Sequence, residues 1–219
     1  MNVSQTLADL ATTHPAASRV FYRHGLDFCC NGRRPLDDAC RAQSLDPDEV
    51  LREVLASDAA AETGRNWGTT PLPLIVEHIV GYYHARLRAE LPELIAMAAK
   101  VEQVHGGKPT CPRGLAAHLE EIHTGVLDHL AKEEHILFPL ILAGRGAFAS
   151  SPIRVMEMEH AEHGENLQVT RRLTADLTPP DEACTTWRAL YTRLAAFEAE
   201  LMDHIHLENN ILFQRALAE

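Results

Sequence analysis

A chain of 219 residues, 46% hydrophobic and 23% charged, can fill one good core and a small second module, with the balance of an ordinary globular protein. Its formal net charge of −11 repels phosphate backbones and argues against nucleic acid as a partner. No apolar run reaches the ~18 residues of a membrane span, and MNVSQTLADL lacks the basic region and apolar stretch of a secretory signal. The five Cys (29, 30, 40, 111 and 184) are an odd number in a chain read as unexported. That predicts reduced thiols in the cytoplasm rather than a disulfide framework.

Sparse aromatics, at 5%, and abundant Ala and Leu lean towards helix. Residues 1–57 read as a small helical module with short periodic stretches at Val3–Leu10, Ala16–Tyr22, Pro35–Ala42 and Asp46–Leu55. Asp46-Pro47-Asp48-Glu49 is a helix start: a capping Asp, Pro at the first helical position and acids in the first turn. Residues 58–70 carry no sustained period and read as a linker. Four long helical stretches fill 71–219. They run from about Thr70 to Val104, from Pro112 to about Leu142, from Ser151 to about Asp176, and from about Asp181 to Leu217. Pro92 and Pro139 predict kinks or short breaks. No segment alternates with the period of a strand. The expectation is an all-α fold, an antiparallel up-down-up-down four-helix bundle preceded by the small helical domain.

The 13 histidines contain a repeated pattern. His129-Leu-Ala-Lys-Glu133 lies on the second stretch and His204-Ile-His-Leu-Glu208 on the fourth. Residues i and i+4 share a helix face, so imidazole and carboxylate can converge on one metal region. The match continues as EEHILFPL beside ENNILFQR. His84 precedes His129 by 45 residues, and His160 precedes His204 by 44. H…HxxxE therefore occurs twice, the trace of an internal duplication. In antiparallel helices His84 and His129 sit roughly 30 and 27 Å from their shared turn, at ~1.5 Å per residue.

Two carboxylates can bridge two metal ions that four imidazoles cap. Mixed imidazole and carboxylate ligands without thiolate suit iron or manganese in a bundle core. A lone HxxxE is ordinarily surface charge pairing, but two copies at matched spacing are not.

The remaining groups are read one by one. His105 would lie ~31 Å from His84 in one straight helix, so it reads as an end-of-helix residue unless the helix breaks at Pro92. His118, His123, His135, His163 and His206 have no duplicate partner and read as surface or supporting residues. Glu159 reads as a solvated acid, with a proton relay or the lining of an access path as the alternative. Cys29 and Cys30, between a helix and a turn, can bind soft metals, exchange disulfides or be nitrosylated; the alternative is a pair of half-buried helix-end thiols. Cys40, Cys111 and Cys184 read as packing residues.

With DFCCNG at residues 27–32, His84, His129-x-x-x-Glu133, His160 and His204-x-x-x-Glu208, the chain resembles the di-iron proteins for repair of iron centres, bacterial relatives of the hemerythrins. PPDEACTTW (179–187) and LMDHIHLENNILF (201–213) add to the likeness, which spans essentially the whole chain. The resemblance implies a non-haem pair of iron ions, carboxylate- and oxo- or hydroxo-bridged, with Glu133 and Glu208 as bridges. It also implies cytoplasmic repair of iron–sulfur clusters damaged by nitrosative or oxidative stress. The partners are then damaged iron–sulfur proteins, with nitric oxide as a ligand. Cys29 and Cys30 would serve redox or transfer.

An oxygen-carrying hemerythrin would have a further His four residues after His160; here that residue is Gly164. The centre is poorer in nitrogen and more open, which favours iron release or reactivity over oxygen carriage. Iron supply is the first reading, nitric oxide reduction the alternative, and a gas or redox sensor a third that lacks an output domain. A monomer or a dimer fits equally.

Overall fold

The computed structural model describes residues 2–14, 16–60 and 66–218. Among them the fold is all-α, with one isolated bridge between Thr6 and Pro35. The chain divides into two compact units, one of Met1–Glu77, Ile141–Ser150 and Met202–Glu219, the other of His78–Leu140 and Ser151–Leu201. No helix of the described residues is long and apolar enough to cross a membrane.

In chain order the helices are α1 (Leu7–Thr13), α2 (Ala17–Arg23), α3 (Leu36–Ala42), α4 (Pro47–Ala60), α5 (Leu72–His78), α6 (Ala85–His105), α7 (Leu115–Lys132), α8 (Phe138–Leu142), α9 (Ser150–Leu173), α10 (Thr185–His206) and α11 (Phe213–Ala218). Three π-helical segments lie between them, π1 (Ile79–His84), π2 (Glu133–Leu137) and π3 (Leu207–Leu212).

The second unit is the four-helix bundle. Its core follows a heptad seam. Leu87, Leu91, Leu94, Ala98 and Val101 are buried on α6, and Leu115, Leu119, Ile122 and Val126 on α7. Ile153, Met156 and Leu167 take the seam on α9; Trp187, Leu190, Leu194, Phe197 and Leu201 take it on α10. Alternating steps of three and four place these side chains on one stripe, which buries only against neighbouring helices.

Polar ties give the order of the helices. Arg88 meets Glu134 between α6 and the end of α7, Lys132 meets Glu159 between α7 and α9, and Arg171 meets Glu198 between α9 and α10. Arg193 closes the ring from α10 to Glu90 and Glu93 of α6. Each neighbour is therefore the next helix in sequence, and the topology is up-down-up-down.

The turns explain the bundle's ends. Glu102 accepts from the amide of Ala116, 2.8 Å away, at the start of α7. Between α9 and α10, Ala175, Asp176 and Leu177 all take left-handed backbone (φ 49°, 58° and 55°). Each such residue costs roughly 1–2 kcal/mol. Thr174 Oγ1 holds the run by accepting from the Leu177 amide, and Arg171 holds it through Asp176.

The expected break at Pro92 does not occur. α6 runs unbroken through Pro92, because Leu91 and Leu94 on either side are fully buried and packing outweighs one missing donor. Pro139 is the second residue of α8 and directly follows π2, so a departure from α geometry stands just ahead of it. Within the long helical stretches the departures from α geometry are the three π segments.

The first unit gathers α1 to α4 around Leu10, Val20, Phe21, Phe28 and Leu36. Thr6 caps α1 by accepting from Asp9. Asp46 accepts from the amides of Asp48 and Glu49 at the start of α4, as its sequence predicts. α4 runs on to Ala60, three residues into the stretch read as a linker; residues 61–65 of that stretch lie outside the described residues. Gly146 packs directly on the backbone of α11: a Cβ there would lie 1.7 Å from the Ala216 carbonyl oxygen.

Candidate metal centre

The heptad seams do not end where the apolar residues stop. On α7 the stripe of Leu119, Ile122 and Val126 continues at the same spacing to His129 and Glu133. On α9 the stripe is occupied by His160 and His163, and on α10 the next seam positions are His204 and Glu208. His84 stands one step before Leu87. All six predicted ligands are core residues, exposed by 3% or less. Burying such groups is costly without partners or a metal.

Four of the six meet in the second unit. His84 closes π1 and Glu133 opens π2. Oε2 of Glu133 lies 3.3 Å from Nε2 of His84 and 3.4 Å from Nε2 of His129. Nε2 of His160 lies 3.0 Å from Nε2 of His129. One carboxylate oxygen thus stands between imidazoles from two helices, and a third imidazole approaches from α9.

Each of two imidazoles is held from behind by a carboxylate. Nδ1–H of His84 donates to Glu134 Oε1 at 2.7 Å, and Nδ1–H of His129 donates to Glu159 Oε2 at 2.9 Å. A carboxylate only accepts, so Nδ1 of each ring carries its hydrogen towards the outer acid and Nε2 is the nitrogen turned to the interior. Arg88 and Lys132 neutralise these outer acids. Burial pushes the Glu134 carboxyl up, but hydrogen bonds from His84 and Arg88 hold it below the usual carboxylate range.

The other two predicted ligands pair in the first unit. Nε2 of His204 lies 3.0 Å from Oε1 of Glu208, which sits in π3. Asn209 Nδ2 donates to the Cys29 carbonyl at 3.2 Å, and Asn210 Nδ2 donates to the Phe28 carbonyl at 3.2 Å. The double-cysteine loop is therefore tied to the helical turn that carries Glu208. The Cys29 and Cys30 sulfurs are 3.6 Å apart. Cys29 is buried, and its thiol is held well above the ordinary cysteine value, first by its hydrogen bond with Cys30 and then by burial.

The donor set fits a transition-metal ion. Ligand atoms bound at ~2.1 Å and at right angles stand ~3 Å apart, as do the 3.0–3.4 Å separations here. The set is imidazole and carboxylate, with no thiolate among it. The π segments matter to this geometry. A π turn inserts an extra residue and rotates the helix beyond it, and such turns recur at functional sites. All three fall on or beside a predicted ligand.

Some of the other groups differ from their sequence reading and others keep it. Glu159 is the support of His129, not a solvated acid. The sequence pattern does not single out Glu134; its one signal is an acid adjoining a predicted ligand. His118, His163 and His206 are buried. His118 Nε2 meets the Asn166 carbonyl at 3.0 Å, and the His163 ring stands edge-on to His129 at 5.0 Å. Burial pushes His206 down to about 4, partly opposed by the Phe28 carbonyl. His105 is the last residue of α6, against Trp187 and 3.2 Å from the Cys184 sulfur. Cys184 is exposed, which corrects its reading as a packing residue; Cys40 and Cys111 are buried as expected.

Comparison with known proteins bears on both parts of the chain. Residues 76–216 match the family model of the hemerythrin HHE cation binding domain, and residues 3–58 match a domain of unknown function, DUF542. The iron-sulfur cluster repair protein YtfE of Yersinia pseudotuberculosis (serotype IB, strain PB1/+) is 49% identical over 214 residues, covering 98% of this chain and 97% of that one. YtfE of Yersinia pestis (strain Pestoides F) matches to the same extent. The chain belongs to the hemerythrin HHE cation binding family and, over nearly its whole length, to the family of these iron–sulfur cluster repair proteins.

Proposed function

We propose that this protein holds two iron ions and repairs iron–sulfur clusters damaged by nitrosative or oxidative stress, by supplying iron. His84, His129, His160 and His204 are the imidazole ligands, and Glu133 and Glu208 are the bridging carboxylates. The carrying observation is the Glu133 oxygen set 3.3 and 3.4 Å from two imidazole nitrogens, each ring backed by its own outer carboxylate. The printed name of the 49% identical relatives gives the cellular task. Five free cysteines suit the reducing cytoplasm.

The residues divide the work. Glu134 and Glu159 hold their imidazoles in one tautomer and raise their basicity. Arg88 and Lys132 are part-exposed and let solvent reach these outer acids, a route by which the imidazole nitrogens could be protonated as iron leaves. Gly164, four residues after His160, offers no ligand, so the site is poorer in nitrogen and its iron easier to release. Cys29 and Cys30 serve redox or transfer at the turn after Glu208.

Iron-loaded protein incubated with an apo-ferredoxin, a sulfide source and a reductant should restore the cluster faster than free iron at equal concentration. Equal rates would exclude delivery. Glu133→Leu and Glu208→Leu should each leave one iron or none, whereas His105→Leu keeps two, as read by metal content and near-ultraviolet absorption. The same absent ligand at Gly164 favours a second reading, reduction of nitric oxide, in which an iron pair held by these residues would supply two electrons for each nitrous oxide and an added reductant would restore them. Multiple turnovers to nitrous oxide would support it, and a stoichiometric dead end would exclude it.

A further inference from the structure

The first unit contains a cleft of about 620 Å³ beside the double-cysteine loop, inside the ~300–1,000 Å³ range of small-molecule sites. Leu26 and Ala39 form an apolar floor. Of the two adjacent cysteines only Cys30 lines it, together with Arg33, Arg34, Asn31, Gln43 and one acid, Asp27. Cys30 is half-buried, and both arginines are exposed.

The charge here runs against the chain as a whole. Arg33 has no ion pair or hydrogen bond among the described residues, and Arg34 gives one donor to the Asp38 carbonyl. The nearby acids are otherwise engaged. Asp27 accepts from the Cys30 amide at 3.0 Å and the Asn31 side chain at 2.6 Å; Arg41 pairs with Asp38 at 2.6 Å and Asp37 at 3.7 Å. Two guanidinium groups and an amide therefore face one mouth, with a thiol inside it. That combination recognises carboxylates and sulfur together.

We propose that this cleft binds a small acidic thiol and its disulfide, with Arg33 and Arg34 on the carboxylates and Cys30 at the sulfur. The proposal deepens the redox reading of the cysteine pair and is independent of the metal ligands. With the disulfide bound, the Cys30 sulfur attacks one of its sulfurs. A bond forms between Cys30 and that sulfur, and the bond between the two ligand sulfurs breaks. Cys30 is oxidised, the departing sulfur is reduced, and it takes the proton that Cys30 gives up. Cys29 is not the nucleophile, since it is 4% exposed and does not line the cleft. The bound disulfide is the only oxidant the step requires.

Full-length protein is treated with glutathione disulfide or with uncharged hydroxyethyl disulfide, and mixed-disulfide formation is followed by intact mass and peptide mapping. Modification by glutathione disulfide should saturate with concentration and map to Cys30. Arg33→Ala with Arg34→Ala should slow it about tenfold, the size of two exposed ion pairs. The same pair of changes should leave the hydroxyethyl reaction within about twofold. Arg33→Ala alone, at a residue that bonds nothing else, should give part of the loss and guards against misfolding of the double variant. Non-saturating kinetics, equal loss with both reagents, or an adduct on Cys184 in place of Cys30 would overturn the proposal. Iron content, measured on the same samples, should be unchanged in every variant; it reports separately on the metal reading.

Discussion

Replacing Glu159 tests whether the outer carboxylates serve the metal ligands. In the native protein Glu159 accepts from His129 Nδ1 at 2.9 Å and from Lys132, and is largely buried. Glu159→Gln keeps an acceptor but removes the charge; Glu159→Leu removes both. Loss of such a supporting partner weakens metal binding by about 10–100-fold, which is ~1.4–2.7 kcal/mol. Glutamine should fall near the low end and leucine near the high end. The same sum should appear as reduced metal-linked stability, ~1.4 kcal/mol for each tenfold loss of affinity at saturating metal. The assay is iron competition against a chelator of known affinity, with circular dichroism to confirm the fold. Glu134→Gln should behave alike through His84, and Glu121→Gln, on an exposed part of α7, should do nothing. If both Glu159 variants fold and bind iron as tightly as the native protein, the carboxylates are ordinary surface acids and the argument fails.

Other expectations follow from particular contacts. Gly146→Ala forces a methyl group to within 1.7 Å of the Ala216 carbonyl and should cost ~1–3 kcal/mol, read as a lowered denaturation midpoint; an unchanged midpoint would mean that α11 shifts freely. Asn210→Ala removes the tie to the Phe28 carbonyl, worth ~1 kcal/mol. Cys29 should then react with iodoacetamide about fivefold faster, and an unaltered rate would show that another contact buries it. Glu53 is held below the usual carboxylate range, first by the His24 hydrogen bond and then by Arg23. A depressed folded value means stability that is present above the unfolded carboxylate value and lost as the pH falls through the folded one. Glu53→Gln should therefore cost ~0.5 kcal/mol near neutrality, as an exposed pair does, and nothing in acid. An equal cost at both pH values would point to packing instead.

The helices were legible because their evidence is local. Asp46 before Pro47, the glycines after His105 and the heptad spacing of Leu87, Leu91, Leu94, Ala98 and Val101 all act within a few residues. The predicted ligands were legible for a different reason: His84, His129, Glu133 and His160, His204, Glu208 repeat one pattern at nearly the same spacing, 45 and 44 residues. The EEHILF and ENNILF stretches also marked where π2 and π3 would fall, but periodicity is blind to one inserted residue. The two copies also diverge in sequence. Where the first copy has Glu134 to support His84, the second has Asn209, which holds the Cys29 carbonyl.

What the sequence determined alone was the helical class, the up-down-up-down order and a polar interruption of the core seam, since these depend on which residues repeat along one face. Tertiary structure decided how the seam is used. It placed the Glu133 oxygen between imidazoles of two helices, set Glu134 and Glu159 behind them, and carried α6 without a break through Pro92. It also left Cys184 exposed and opened a cleft at Cys30. Each of these depends on groups far apart in the chain, whose meeting is set by the packing of helix on helix and not by any local preference.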